Sequence, residues 1–190
     1  MTTALSFSAK PTITGKLVTL RPVRPEDARG LHGVSAESLR LTGTHGAATL
    51  EQLTHWYATR ADHDDRIDWS IIERETGEWA GEVVLNDLDA ANQSCGFRIL
   101  LAGEAFYGRG LGTEATTLAV GHAFDNVGVN RVELEVYAFN PRARHVYENV
   151  GFVHEGARRQ ALRWQGEWVD AELMAMLAGD WRARLPAGHA

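Results

Sequence analysis

The 190-residue chain carries 19 basic and 25 acidic side chains, and the resulting formal charge of -6 disfavours nucleic acid as its main partner. At 44% apolar and 23% charged it has a globular composition. A domain of this length buries roughly 70% of the surface its unfolded chain exposes. The lone Cys95 excludes an intrachain disulfide, no cluster of Cys and His offers a metal site, no apolar run approaches the ~18 residues of a membrane span, and Met1 to Lys10 lacks the pattern of a secretory signal. A single cytoplasmic domain over residues 1–190 is expected, with flexible tails at 1–14 and 183–190.

Leu17 to Val23 alternates apolar and polar residues and reads as a strand. Pro25-Glu26-Asp27 opens a helix; Leu41 to Thr49, with Gly43 and Gly46, reads as a loop before a second helix from Leu50 to about His63. Three strand-like runs follow, Asp68 to Arg74, Trp79 to Asn86 and Cys95 to Leu101, separated by turn-forming residues in the pattern of an antiparallel meander. From Leu111 to Val127 the spacing turns helical, with Gly128 as its stop. Arg131 to Tyr137 is the next strand. Asn140 and Pro141 then suit the N-cap and first position of a helix running to Gly151, and two closing strands flank Gln165-Gly166.

The feature with chemical content is Tyr107-Gly108-Arg109-Gly110-Leu111-Gly112-Thr113, running straight into a helix. Residues without side chains let backbone approach a ligand, and a helix start presents unpaired N–H groups with partial positive charge, which suits pyrophosphate. No Gly-Lys-Ser or Gly-Lys-Thr is present, so the loop is not of the Walker type. Gly110 to Ala115 matches the dinucleotide fingerprint, with Glu133 downstream, but the context is wrong: Ala102 to Arg109 separate the strand from Gly110, and an antiparallel meander precedes it.

The chain resembles the GNAT superfamily of N-acetyltransferases, whose acetyl-CoA loop reads Arg/Gln-x-x-Gly-x-Gly/Ala at the start of a helix. The octapeptide Gly108 to Ala115 looks most like the Rim-type, ribosomal-protein acetyltransferase branch, with Tyr107 standing where the family has Arg or Gln. A second block, Asn140-Pro141-Arg142-Ala143-Arg144-His145-Val146-Tyr147-Glu148-Asn149-Val150-Gly151-Phe152, resembles the family's Asn…Tyr-Glu…Gly-Phe pattern. The resemblance implies an α/β (α+β) GNAT-type fold, with one mixed, mostly antiparallel sheet of six to seven strands flanked by about four helices. It also implies acetyl-CoA as cosubstrate with no metal. The donor would be held by Gly108, Arg109, Gly110, Leu111, Gly112 and Thr113, by Ile99, Leu100 and Leu101 of the preceding strand, and by Asn140 and Arg144.

Tyr147 matches the family's general acid. Expelling a thiolate requires a proton donor, and a phenol with an ordinary pKa of ~10 can serve a thiol of ~8.5. Glu133 and Glu135 alternate with Val132, Leu134 and Val136, so both carboxylates share one strand face. In the family's ribosomal alanine acetyltransferases a Glu twelve residues before the Tyr is the base, which corresponds to Glu135; Glu82 and Asp87 are rivals acting through water. The family's alternative serine acid is absent, since that position is Ala143. Cys95 lacks a nearby His, which favours direct attack by the amine, through a tetrahedral intermediate, over an acetyl-enzyme.

By the same resemblance the acceptor groove lies between the first helices and the final hairpin, near Trp56, Tyr57, Trp69, Trp164 and Trp168. The acceptor is expected to be a primary amine, either a protein N-terminus or a small antibiotic, polyamine or metabolite. A homodimer is the candidate assembly. The arginines at 142, 144, 158, 159 and 163 form a basic stretch suited to a small phosphorylated ligand. The rival readings are a non-catalytic acyl-CoA sensor and a nicotinamide oxidoreductase.

Overall fold

The computed structural model describes residues 5–46 and 48–184. Strands β1 (Ile13–Thr14) and β2 (Val18–Pro22) lead through a 3-10 turn (Pro25–Asp27) to helices α1 (Ala28–His32), α2 (Ala36–Leu41) and α3 (Leu50–Thr59). The meander follows as β3 (Ile67–Glu73), β4 (Trp79–Asp89) and β5 (Ser94–Leu101). Then come α4 (Leu111–Gly121), β6 (Arg131–Tyr137), α5 (Pro141–Val150), the hairpin β7 (Val153–Trp164) and β8 (Glu167–Leu177), and α6 (Ala178–Arg184).

All the strands form one eight-stranded sheet in the order β1-β2-β3-β4-β5-β6-β8-β7. Every pairing is antiparallel except β5 with β6, which run parallel for only three registered pairs, Ser94 with Arg131 to Gly96 with Glu133. Beyond them β5 stays paired to β4 as far as Leu101, and β6 stays paired to β8 as far as Tyr137. Each strand keeps its outer neighbour and loses the inner one, so the sheet opens as a wedge between residues 97–101 and 134–137.

Strand alternation assigns the two faces. Trp69, Val83, Leu85, Phe97, Leu134, Val136 and Met174 point into the main core, where α4 and α5 pack. The opposite face is covered over β2 to β4 by α1 and α3, through a smaller cluster of Ala28, Leu53 and Tyr57. Over β5 and β6 that second face is wet: Arg98, Glu133 and Glu135 are all exposed.

The expected α/β architecture of one mixed, mostly antiparallel sheet flanked by helices is present; among the described residues it has eight strands and six helices, the additional ones being β1, α2 and α6, which are too short to carry a periodic signal. Of the tail expected at 1–14, residues 5–14 are described and pack on the domain. Phe7 is fully buried and its N–H donates to the Asp64 carbonyl, while Lys10 Nζ donates to the carbonyls of Phe7, His63 and Arg66. At the other end α6 reaches Arg184 and buries Trp181; residues 1–4 and 185–190 lie outside the described residues. The expected long helix continues past α4 as a π-helical turn, His122–Val127, and stops at left-handed Gly128.

Candidate active site

Helices α2, α3 and α5 are each capped by their own side chain, from Ser35, Thr49 and Asn140. Helix α4 opens on Gly110 with no side-chain cap, which leaves its first-turn N–H groups for a ligand. Gly108 and Gly110 have φ of +70 and +81, a conformation that only glycine adopts cheaply, and it turns the loop into the helix start. A Cβ on Gly108 would meet nothing within 4 Å, so this backbone is open to an approaching group. Glu114 holds the loop from behind, accepting the N–H groups of Lys16, Leu17 and Val18 at 2.8, 2.6 and 2.8 Å.

The side chains of the loop are engaged elsewhere. The Arg109 guanidinium is paired with the buried carboxylate of Glu73, so this residue offers the loop's outer side its backbone and not its charge. Tyr107 shares a hydrogen bond with the Ser38 hydroxyl of α2, and the Arg142 guanidinium of α5 lies 3.8 Å over its ring. A cation thus stands beside the position where the family carries Arg or Gln, delivered from a different element. Arg144, whose predicted role was at the cofactor, is held by Glu148 at 2.9 Å and Glu172 at 2.7 Å.

Ile99, Leu100 and Leu101 lie on β5 beyond its last pairing with β6, along the edge of the wedge. Tyr147 lies on α5 with its ring packed against Phe97 and Phe152, centroids 6.1 and 5.9 Å away. Burial pushes its pKa well above that of a free phenol, which keeps the hydroxyl protonated at neutral pH. Asn140 starts this helix by accepting the Ala143 N–H, and its amide donates to the Leu41 carbonyl at the end of α2. Cys95 is buried in the core, with its thiol pushed up to about 12, so it is not a thiolate near neutral pH.

On the wet face, Glu135 is exposed and paired with Arg158 of β7, while Glu133 is paired with Arg131. Glu82, half-buried on β4, accepts a 2.5 Å hydrogen bond from the Tyr57 hydroxyl of α3. Asp87 sits in the irregular stretch of β4 between the registered residues Asn86 and Asp89, at φ +53, and accepts from the Asn86 amide. Of the aromatic residues expected in the groove, Trp69 is not there. It is fully buried on the opposite face, because Asp68 takes the groove side of β3, and its indole donates to the Pro11 carbonyl. Trp56 is exposed beneath Arg60, Trp168 is exposed near Arg163, and Trp164 stacks on His45. Sequence reasoning missed Arg98, although a lone charge among the apolar residues of a central strand is the same signal that singled out Glu133 and Glu135.

Burial raises the pKa of Glu82, and the Tyr57 hydrogen bond offsets only part of that. A carboxyl that binds its proton more tightly folded than unfolded makes stability fall as pH rises from the unfolded value, ~4.3, through the raised folded one. Glu82→Gln keeps an oxygen for Tyr57 and removes the titration. The variant is expected to lose less melting temperature than wild type between pH 5 and 8 in parallel thermal melts.

An uncapped helix start behind a left-handed glycine loop, a wedge between parallel strands and a buried tyrosine at its edge together define an acyl-CoA-dependent transferase site. The Acetyltransferase (GNAT) domain family matches residues 18–153, and the chain belongs to that family. It is similar to Probable N-acetyltransferase YjcK of Bacillus subtilis (strain 168), 25% identical over 177 residues covering 88% of this chain and 98% of the relative. Spermidine N(1)-acetyltransferase of Escherichia coli (strain K12) is 28% identical over 161 residues, 84% of this chain and 85% of the relative. The crystal structure of spermidine N-acetyltransferase from Vibrio cholerae in complex with CoA and spermine shares the fold. It has a TM-score of 0.80 at 20% identity, covering 88% of this chain and 99% of that one. The protein is an acetyl-CoA-dependent N-acetyltransferase.

Proposed function

We propose that the protein moves the acetyl group of acetyl-CoA onto a small primary amine, with Tyr147 as the acid and a carboxylate of the wet face as the base. The observation that carries this reading is the position of Tyr147: a buried, protonated hydroxyl on α5 packed against Phe97, at the edge of the wedge that begins after Gly96. Gly108 to Thr113 hold the pyrophosphate through backbone N–H groups, with Arg142 beside them, and Ile99 to Leu101 line the pantetheine arm. The amine nitrogen forms a bond to the thioester carbonyl carbon, the carbon–sulfur bond breaks, and Tyr147 returns a proton to the sulfur.

Glu135 is the first base. An incoming ammonium competes with Arg158 for its carboxylate, which brings acceptor and base into contact. Glu82 is the second, favoured by its raised pKa, since a base works best with a pKa close to the working pH. The Rim-type affinity of the octapeptide Gly108 to Ala115 extends the acceptor range to a protein N-terminal amine. The test is release of free thiol from acetyl-CoA against peptides, polyamines, aminoglycosides and amino acids, repeated with Glu135→Gln and Glu82→Gln. The base is the residue whose loss removes the acidic limb of the pH–rate profile. Thiol release matching the no-enzyme rate for every acceptor would overturn the transferase reading.

A further inference from the structure

The carboxylates on the acceptor face of the central strands are all engaged. Asp68 is bound by Arg66 at 2.6 Å, Glu82 by Tyr57 at 2.5 Å, Glu133 by Arg131 at 2.9 Å, and Glu135 by Arg158. Arg98 projects from β5 onto the same face, in register with Val84 of β4. It is exposed, and among the described residues it makes no ion pair, hydrogen bond or stacking contact. Its neighbour Phe97 packs on Tyr147 from the other side of the sheet, and Ile99 follows it along the wedge. Glu82, which the neutral Tyr57 hydroxyl binds, is the carboxylate Arg98 acts on through space, but the two form no ion pair and burial raises the Glu82 pKa, so the Arg98 guanidinium keeps its donors open toward the acceptor side.

We propose that Arg98 is a specificity-determining residue that binds an anionic group on the acceptor, so that the preferred acceptor is a primary amine carrying a carboxylate or phosphate and not a polycation. This rests on the transferase reading above and names its substrate class. A guanidinium presents a planar fork of donors suited to two-point binding of such an anion. A zwitterionic acceptor satisfies both ends of the site, its ammonium exchanging with Arg158 at Glu135 while its anion takes Arg98. A polyamine can make the same exchange at Glu135, but its further ammonium groups come against the Arg98 guanidinium.

The test separates binding from turnover. With the protein saturated by CoA, dissociation constants are measured by NMR titration for β-alanine, phosphoethanolamine, propylamine and spermidine. One of the two anionic amines is expected to bind about ten-fold or more tightly than propylamine, as one charge-assisted contact allows. The better of the two distinguishes carboxylate from phosphate. Arg98→Ala should bring that ratio close to one, Arg98→Lys should restore part of it, and Arg98→Glu should turn the preference toward spermidine. Spermidine binding wild type as tightly as the better of the two anionic amines, or an unchanged ratio in Arg98→Ala, would overturn the proposal. Neither outcome depends on acetyl transfer, which thiol release tests separately.

Discussion

Tyr147→Phe is expected to lower kcat by about 10²-fold or more, the span a positioned acid contributes, while the dissociation constant for acetyl-CoA and the melting temperature stay at wild-type values. The substitution removes one oxygen and keeps the ring that packs on Phe97 and Phe152 at 6.1 and 5.9 Å, so the α5 interface is preserved. The hydroxyl donates to none of the described residues, and its loss leaves no partner unsatisfied. A structural role would show as a lower melting temperature with kcat intact, whereas the acid role lowers kcat alone. Stopped-flow thiol release and a thermal melt on the same sample distinguish them. A kcat equal to wild type would remove Tyr147 from the chemistry.

Much of the donor side was legible in the sequence because it is built from local signals. The glycines at 108, 110 and 112 announce a loop whose backbone a ligand can approach, the run from Leu111 announces α4, and Asn140-Pro141 announces α5; the structure has each helix starting at the expected residues. The side-chain partners were not legible, because they come from distant segments. Nothing near Arg109 in sequence indicates that Glu73 will hold its guanidinium, and nothing near Glu114 indicates that it will bind three N–H groups of the β1–β2 turn. Tyr107 looked like a lost contact; only the fold brings Arg142 over its ring and Ser38 to its hydroxyl.

The acceptor side was less legible for a related reason. Period-two alternation places Glu133 and Glu135 on one face, but it does not show which carboxylates are neutralised, and that decides the sign of the surface an acceptor meets. Glu135 meets Arg158 through the β6-β8-β7 order, in which the last strand in sequence pairs between the other two. Trp69 was misplaced for want of the register. With Asp68 facing the helices, its neighbour must enter the core, and a reading by residue type alone cannot see that.

Gly112→Asp is expected to abolish tight acetyl-CoA binding while leaving the fold as stable as wild type or slightly more so. Gly112 has a helical backbone outside the positive-φ region, and a Cβ there would meet Leu101 Cδ1 at 3.4 Å, an ordinary contact distance. In the first turn of α4 a carboxylate complements the helix dipole by roughly 0.3–1 kcal/mol, and replacing a helical glycine removes part of a penalty of about 1 kcal/mol. The same charge stands where pyrophosphate is to bind: at ~5 Å and an effective dielectric of about 20, one pair of like charges costs about 3 kcal/mol, more than 10²-fold in affinity. Opposite signs in the two readouts separate this from misfolding, which would lower both. Gly112→Ala provides the control, adding the Cβ without the charge, and is expected to bind acetyl-CoA far better than Gly112→Asp. Calorimetric titration with acetyl-CoA and a thermal melt measure the pair. A wild-type dissociation constant in Gly112→Asp would mean that the phosphates lie away from the start of α4.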